Sequence, residues 1–234
     1  MAPGGAGGAF DVAAGLASVR ERITAAGGDP GRVRVVAVTK GFGVDAVLAA
    51  LAAGLEDIGE NYAQELLAKD AALRAAQPEG QGAAGVRWHF LGAVQRNKVP
   101  ALAPVVSCWQ GVARSVEGEA IARRRPGAAV LVEVDTTGAP GRNGCAPDAV
   151  PALVADLGAG GLDVRGLMTV APHADGDPRR AFGLVRALAD GLGLPECSMG
   201  MSEDLELAVA EGSTMVRVGR ALFGDRPRRR ADAP

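Results

Sequence analysis

The chain has 234 residues, of which 48% are hydrophobic, and a mean hydropathy of +0.12, so it can fill a large core and is neither disordered nor fibrous. The formal net charge is −2, and aromatic residues make up 3% of the chain. This composition argues against nucleic acid as a partner, because both a broad basic surface and an aromatic surface for stacking bases are missing.

Short β-rich runs alternate with amphipathic helical runs along most of the chain. A first helix is predicted at 9–26, ended by the Gly-Gly-Asp-Pro sequence at 27–30. The predicted strands follow in order at 33–38, 55–58, 87–91, 105–109, 129–134, 162–169, 196–199 and 214–218. The predicted helices between them are 44–53, 60–76, 95–103, 114–125, 148–157, 178–192 and 203–211, with a short turn at 220–223.

This alternation predicts an α/β fold whose parallel strands are joined by right-handed crossovers. Eight strand–helix units in a chain of this length, after one extra N-terminal helix, indicate a single closed (β/α)8 TIM barrel. An open doubly wound sheet is the alternative, but no Gly-x-Gly-x-x-Gly motif follows the first strand. We place the barrel at residues 9–226, with a flexible N-terminus at 1–8 and a flexible tail at 227–234.

Cysteine and histidine usage indicates no metal site. Cys108, Cys145 and Cys197 are widely spaced without a Cys-x-x-Cys pair, and His89 and His173 form no His-Glu-x-x-His motif. No apolar run has transmembrane length, and the first residues lack the basic segment of a signal peptide. We therefore expect a cytoplasmic protein that has no disulfide framework and does not bind a membrane.

Lys40 is the first candidate for chemistry, because functional residues of such barrels lie at the carboxyl ends of the strands. It ends a largely apolar predicted strand, and the chain has just two other lysines. Lys69 lies among polar residues of a predicted helix, where we expect it to be exposed, and Lys98 begins or caps a helix. A desolvated lysine can lose its proton and attack a carbonyl group, which arginine cannot do. The alternative is a strand-end lysine that reaches solvent.

The loops after the seventh and eighth strands are the second candidate. The sequence Ser-Met-Gly-Met-Ser at 198–202 precedes a predicted helix, for which Ser202 is the expected N-cap. Gly200 allows close approach of the backbone to a ligand, and Gly219 follows the last strand. Backbone N–H groups of both loops can bind one phosphate group. The alternative is that these residues only cap a helix and form tight turns.

Arg217 is a third candidate on the last predicted strand. Strand alternation turns its side chain away from the direction of Val216 and Val218, so it needs an acceptor in the barrel mouth. That acceptor is either a ligand atom, such as a pyridine nitrogen or a phosphate oxygen, or the carboxylate of Glu133 or Asp135.

Two neutral polar residues lie near the second and third predicted strands. Asn61 follows the second strand and can orient a ring hydroxyl or a carbonyl oxygen of a ligand. His89 stands between Trp88 and Phe90, which is more typical of a hydrogen-bonded core histidine than of a catalytic one.

Motifs spread in order over nearly the whole chain resemble those of the pyridoxal phosphate homeostasis proteins. They are Ala-Val-Thr-Lys at 37–40, Gly-Glu-Asn-Tyr-Ala-Gln-Glu at 59–65, Trp-His-Phe-Leu-Gly at 88–92, Gln-Arg-Asn-Lys at 95–98, Arg-Gly-Leu-Met at 165–168, Ser-Met-Gly-Met-Ser-Glu-Asp at 198–204, Gly-Ser-Thr-Met-Val-Arg-Val-Gly at 212–219 and Leu-Phe-Gly at 222–224. Each motif alone is too short to identify a family, but all of them together, in this order, are highly specific.

The resemblance implies a barrel of the alanine-racemase N-terminal-domain type that holds pyridoxal 5′-phosphate (PLP) as a lysine aldimine. Family members are thought to buffer and deliver PLP in vitamin B6 homeostasis, with effects on amino-acid and keto-acid pools. The implied cofactor-binding residues are Lys40 as the Schiff-base lysine, Asn61, Met168, Ser198, Met199, Gly200, Met201, Ser202, Arg217 and Gly219, with His89 as a further candidate.

Two positions depart from the family pattern. Thr39 stands where many members have serine, and the hydroxyl is retained. The loop at 141–145 has Arg142 and Asn143 where the family usually has a lysine before glycine. Because arginine cannot form an imine, this departure argues against lysine-to-lysine transfer of PLP at the loop and leaves cofactor binding unaffected.

Three classes of function follow. A PLP carrier, which we expect to be a monomer that meets apo PLP-dependent enzymes transiently, agrees best with the resemblance. A racemase-like PLP enzyme of this barrel type takes a second base from a further domain, and here the base would have to be Tyr62, His89 or a cysteine. A nucleic-acid-binding or scaffold protein is disfavoured by the acidic pI of about 5.8 and the few aromatic residues.

Overall fold

The computed structural model describes residues 10–76, 85–172 and 176–226. The strands are β1 (Arg34–Val38), β2 (Asp57–Glu60), β3 (Arg87–Phe90), β4 (Val106–Val112), β5 (Ala129–Glu133), β6 (Asp163–Met168), β7 (Glu196–Ser198) and β8 (Met215–Val218). The helices are α1 (Val12–Ala25), α2 (Val44–Ala52), α3 (Ala63–Ala75), α4 (Val99–Leu102), α5 (Ser115–Arg124), α6 (Val150–Ala159), α7 (Pro178–Gly191), α8 (Leu205–Ala210) and α9 (Arg220–Phe223). The flexible ends expected at 1–8 and 227–234 lie outside the described residues.

The eight strands form a closed barrel in sequence order, and every neighbouring pair is parallel. Pairing of β1 with β8 closes the barrel, in a register that sets Arg34 opposite Met215 and Ala37 opposite Val218. This confirms the predicted (β/α)8 barrel and excludes the open sheet. The extra helix α1 precedes the first strand, as predicted, and the side chain of Asp11 caps it by accepting from the backbone N–H of Ala14.

Strand alternation divides the apolar residues between two sides of the sheet. Side chains such as Trp88, Trp109 and Val216 belong to the main core, which the strands share with the surrounding helices. Cys108, Leu131 and Met168 form a separate small cluster. They alternate along their strands with residues of the main core, so they lie on the barrel interior.

Polar side chains fill much of the rest of that interior. Buried positions on the inner face are occupied by His89, Gln110, Ser198 and Arg217. Each of these residues lies next in sequence to a residue of the main core, which fixes its inward direction. The barrel therefore contains a polar layer beneath its mouth.

Several predicted helices are shorter than expected, and two of these differences concern the site or a proline. The segment predicted at 95–103 is helical only over α4, which has Pro100 in its first turn. The helix predicted at 203–211 begins at Leu205, and its N-cap is Asp204, so the prediction of Ser202 as N-cap is wrong. The Asp204 carboxylate accepts from the Met201 N–H at 2.5 Å, which forms a turn ahead of the helix.

Within the described ranges, no helix has the length and apolar character needed to cross a bilayer. The same residues include no cluster of three or more His, Cys, Asp or Glu side chains arranged to hold a metal ion.

Candidate functional site

A cavity of about 660 Å³ opens at the carboxyl ends of the strands. Seven of the residues predicted to bind a cofactor line it, namely Lys40, Asn61, Met168, Met201, Ser202, Arg217 and Gly219. The remaining lining comes from Val38, Phe42, Leu91, Val170, Pro172, Pro178, Glu203, Asp204, Arg220, Gly224, Asp225 and Arg226. Its size and its mixture of apolar walls with a few polar groups are typical of a small-molecule site.

Lys40 reaches this cavity from the loop that follows β1. Its amine makes no hydrogen bond or salt bridge with any residue in the described ranges, and the residue is partly buried. Burial lowers the pKa of Lys40, the positive charges of Arg226 and Arg217 lower it further, and the carboxylate of Glu60 opposes the shift. A lowered pKa increases the unprotonated fraction at neutral pH, and the unprotonated amine is the nucleophile.

A buried ion pair holds the backbone on the strand side of Lys40. The Lys69 ammonium, on α3, donates to the Glu60 carboxylate and to the Thr39 carbonyl oxygen at 2.8 Å. The Thr39 hydroxyl also donates to Glu60, at 2.6 Å. On the other side of Lys40, the Gly41 N–H donates to Glu65 at 2.8 Å. These contacts fix both neighbours of Lys40 and leave its side chain free.

The prediction that Lys69 is exposed is therefore wrong, because its side chain is 6% exposed. Of its polar neighbours in sequence, Gln64 is exposed, whereas Asp70 is itself buried and Glu65 lies 3.9 Å from the Lys69 ammonium. Lys69 shares the inner face with Leu66 and Leu73, which are three residues before it and four after it and are both buried. That apolar spacing is the sequence signal that places Lys69 inside.

Arg217 is held from behind by hydrogen bonds. Its guanidinium donates to the Ser198 carbonyl at 2.6 Å, the Ser198 hydroxyl at 2.8 Å and the Thr169 carbonyl at 2.7 Å. The alternative partners do not bind it in the described part of the chain, since Glu133 accepts from Asn143 and Asp135 from Thr137. Burial lowers the pKa of Arg217 to about 10, so the guanidinium is still a cation at neutral pH. No carboxylate among the described residues forms an ion pair with it.

The loop at 198–202 is shaped by Gly200. This glycine has φ +89°, and a Cβ on it would lie 2.5 Å from the Cβ of Ala208, so no other residue fits without a shift. Met201 and Ser202 reach the cavity, and the backbone N–H groups of Ser202 and Glu203 donate to no group among the described residues. Ser198, Met199 and Gly200 are buried behind this surface and do not line the cavity.

Asn61 and His89, the two neutral candidates, occupy different surroundings. The Asn61 side chain lines the cavity, and its Oδ1 is buried without a hydrogen-bond partner in the described ranges. A ligand donor in the cavity would satisfy this oxygen. His89 is 2% exposed and lies in the barrel interior, where its ring nitrogens contact Asp57 and Gln110.

Several lining residues were not predicted, because they do not stand directly after a strand. Phe42 lies in the β1–α2 loop, where its ring packs against Phe10 and Phe223, with centroids 5.7 Å and 5.4 Å away. Arg226 follows α9 and lies over Gly41, on which a Cβ would be 3.2 Å from the Arg226 Cδ. The chain has five phenylalanines, and three of them meet here. Composition shows that these residues are few, but it does not show which of them come together.

Comparison with known proteins identifies the family. The model of the alanine racemase N-terminal domain matches residues 16–227. A pyridoxal phosphate homeostasis protein of Deinococcus radiodurans is 42% identical over 223 residues, which cover 92% of this chain and all of the relative. One of the same name from Pseudomonas aeruginosa is 40% identical over 227 residues, covering 93% of this chain and 95% of the relative.

A solved structure agrees with this assignment. PipY of Synechococcus elongatus PCC7942, solved with PLP bound, has a TM-score of 0.78 and 30% identity to this chain, and the match covers 92% of this chain and 100% of PipY. The chain therefore belongs to the alanine racemase N-terminal domain family and, within it, to the pyridoxal phosphate homeostasis proteins.

Proposed function

We propose that this protein binds PLP in the barrel-mouth cavity, attaches it covalently to Lys40 and serves in vitamin B6 homeostasis. The observation that carries the proposal is the setting of Lys40, a partly buried amine of lowered pKa that lines the cavity together with Arg217. The names of the relatives and the PLP bound to PipY support the same ligand.

The donors and acceptors of the cavity fit the parts of PLP. The unpartnered N–H groups of Ser202 and Glu203, with Gly219 nearby in the lining, suit the phosphate. The free Oδ1 of Asn61 suits the ring hydroxyl, and the Arg217 guanidinium suits the pyridine nitrogen. Met168 supplies an apolar surface for the ring.

PLP supplies an aldehyde, which forms an imine with an unprotonated amine and releases one water molecule. The residues of this chain determine how the bound ligand behaves. Lys40 offers the amine, and the contacts at Thr39 and Gly41 hold its backbone in place. Arg217 has donors only, so a ring nitrogen that accepts from it carries no proton, and the ring is then a weaker electron sink. This favours storage of PLP over carbanion chemistry.

The test is an absorbance spectrum of the purified protein with added PLP, followed by borohydride reduction and peptide mapping. We expect a phosphopyridoxyl group on Lys40, none after Lys40→Ala, and an unchanged result after Lys98→Ala as the matched lysine control. Circular dichroism should show that Lys40→Ala keeps its fold, because barrel stability does not depend on this strand-end amine. An unmodified wild-type protein, or modification that survives Lys40→Ala, would contradict the proposal.

The second candidate, a racemase-like PLP enzyme, needs another acid–base residue at the cavity. Tyr62 is 58% exposed and His89 is enclosed in the interior, and neither they nor the three cysteines line the cavity. Among the described residues, the suggested second bases are thus absent from the site. Amino-acid racemisation or transamination that depends on Lys40 would favour this candidate over the carrier.

We further propose that the protein works as a cytoplasmic monomer that transfers PLP to apo PLP-dependent enzymes through transient contacts. The lining residues of one chain already offer a group for each part of PLP, and this sufficiency supports the proposal. Light scattering of the PLP-loaded protein should give the mass of one chain. Faster activation of an apo aminotransferase by loaded protein than by the PLP it releases would support direct transfer.

A further inference from the structure

We propose that a series of hydrogen bonds through the barrel interior positions Arg217, and that Ser198, Gln110 and His89 control ligand retention through it. We call the residues Asp57, His89, Gln110, Ser198 and Arg217 the interior series. The effect on the ligand rests on the proposed function, whereas the direction of the hydrogen bonds does not.

The contacts of the interior series are continuous and short. Arg217 Nη1 lies 2.8 Å from Ser198 Oγ, which lies 2.7 Å from Gln110 Oε1. Gln110 Nε2 lies 2.7 Å from His89 Nδ1, and His89 Nε2 lies 2.9 Å from Asp57 Oδ1. The five residues come from the five strands β2, β3, β4, β7 and β8, and none is more than 6% exposed. The series runs from the amino-terminal end of β2 to the cavity.

The two ends of the series fix the direction of every bond. Arg217 has donors only, so Ser198 Oγ must accept from it. At the other end, burial raises the pKa of Asp57, but hydrogen bonds from Arg87 and His89 outweigh burial and hold this pKa well below its usual value. The carboxylate is therefore ionised and only accepts, so His89 Nε2 must carry a proton.

Between these ends, one arrangement satisfies every group. A neutral His89 protonated on Nε2 leaves Nδ1 as an acceptor, to which the Gln110 amide N–H donates. The Gln110 oxygen then accepts the Ser198 O–H, and the free lone pair of Ser198 accepts from Arg217. If Nδ1 also carried a proton, Gln110 would have to turn its oxygen toward His89, and the Ser198 hydroxyl would lose its acceptor.

This arrangement assigns Ser198 a role that differs from direct contact with a ligand. Ser198 is 0% exposed, and its hydroxyl donates to Gln110 and accepts from Arg217. The residue does not line the cavity. Ser198 therefore acts by holding Nη1 of Arg217, while Nη2 donates to the Thr169 carbonyl and the Nε–H is left without a partner among the described residues. Ser198, Gln110 and His89 are positioning residues.

The first experiment determines the protonation of His89 without any ligand. The chain has two histidines, so a long-range ¹H–¹⁵N NMR spectrum at neutral pH is simple, and His89→Gln assigns the signal of His89 by its loss. We expect a neutral ring that is protonated on Nε2 alone. A ring protonated on Nδ1, on both nitrogens, or exchanging between the two neutral forms would overturn the interior series.

The second experiment measures PLP release from the loaded protein. We expect release to be roughly tenfold faster after Ser198→Ala, because a hydrogen bond to a charged group is lost, and unchanged after Ser213→Ala. Ser213 is the matched control, since it is a buried serine whose hydroxyl donates to backbone oxygens such as that of Met199, at 2.8 Å. If Ser198→Ala released PLP at the same rate as the wild-type protein, the proposal would be overturned.

A third variant keeps the test decisive if Ser198→Ala does not fold. Gln110→Met preserves the length of the side chain and removes its hydrogen bonds to His89 and Ser198. We expect it to release PLP faster and to lose the single protonation state of His89, which a merely structural change would not alter. PLP binding should also shift the His89 signal in the wild-type protein but not in Gln110→Met. A folded Gln110→Met with an unchanged His89 spectrum and unchanged release would contradict the proposal.

The outcomes also separate this proposal from the proposed function. Protein with the expected His89 spectrum that takes up no PLP would contradict the proposed function and leave the interior series intact. Protein that carries PLP on Lys40 but has another His89 protonation state would contradict only the interior series.

Discussion

Lys40 and Lys69 lie close to the same strand ends, yet their surroundings differ. Lys40 has no partner in the described part of the chain and lines the cavity, whereas Lys69 is bound by Glu60 and the Thr39 carbonyl. The same stretch of backbone connects them, because Thr39 directly precedes Lys40. The difference shows how two neighbouring lysines are distinguished: Lys69 binds Oε1 of Glu60 and the Thr39 carbonyl, whereas Lys40 has no hydrogen-bond or ion-pair partner among the described residues.

The first prediction concerns stability and has the largest expected effect. Lys69→Met would leave the buried Glu60 carboxylate without its cation, so we expect a loss of about 3–5 kcal/mol in the free energy of unfolding. Lys40→Met removes no hydrogen bond or ion pair among the described residues and should cost less than about 1 kcal/mol. Urea unfolding of both variants measures the difference. Because removing both charges of a buried pair is often tolerated, the double variant Glu60→Gln, Lys69→Met should recover part of the loss.

Equal losses of stability for Lys69→Met and Lys40→Met would show that the two lysines do not differ in the way described. Burial raises the pKa of Glu60, and the hydrogen bonds from Lys69 and Thr39 oppose that rise. Without Lys69, Glu60 is expected to take up a proton at a higher pH than in the wild-type protein.

The second prediction extends the comparison to the bound cation on β8. Arg217→Ala removes donors that face the ligand, so we expect PLP to be released about 10- to 100-fold faster, while Lys40 is still modified. Arg125→Ala is the control, because Arg125 also donates to backbone carbonyls, including that of Val106 at 2.8 Å, but does not line the cavity. Stopped-flow absorbance with an excess of a PLP acceptor measures release. An unchanged rate, or loss of the attachment at Lys40, would contradict the assigned role.

The third prediction concerns the pH dependence of attachment and has the smallest effect. Because the pKa of Lys40 lies below the ordinary value of 10.5, the rate of PLP attachment should rise with pH through a midpoint below that value. Removing a nearby positive charge with Arg226→Ala should raise this pKa and shift the midpoint to higher pH. Arg179→Ala, which removes an exposed arginine paired with Glu211, should leave the midpoint in place. A midpoint that is the same in all three proteins would exclude an effect of Arg226.

Much of the fold could be predicted because the periodicity of the sequence changes between strands and helices. The same alternation identified Lys40 at the end of β1 and turned Arg217 inward, since both deductions need only the direction of one strand. The N-cap of α8 was predicted wrongly for a local reason, because Ser202 and Asp204 both have side chains that can cap a helix. Ser202 has the composition of an N-cap, but the Asp204 carboxylate forms the turn before α8.

Other features could not be obtained from a single segment. The spacing of Leu66 and Leu73 indicates that Lys69 is buried, but its partners Glu60 and Thr39 lie on other elements and cannot be deduced from α3 alone. Ser198 matched a family motif for the ligand, but the burial of its hydroxyl between Gln110 and Arg217 depends on three strands meeting in space. Such roles require the register of the barrel, which no local pattern contains.

The pairing of β1 with β8 has a consequence for biosynthesis. The first and last strands close the barrel, and the cavity takes Lys40 from one side of that seam and Arg217 from the other. A ribosome makes β8 after every other strand, and contacts between sequence-distant strands are the slowest to form. A nascent chain therefore carries Lys40 for most of its synthesis without a cavity around it. The cavity is complete only when the last strand is in place, so a nascent chain can present Lys40 to a ligand but not the opposing Arg217.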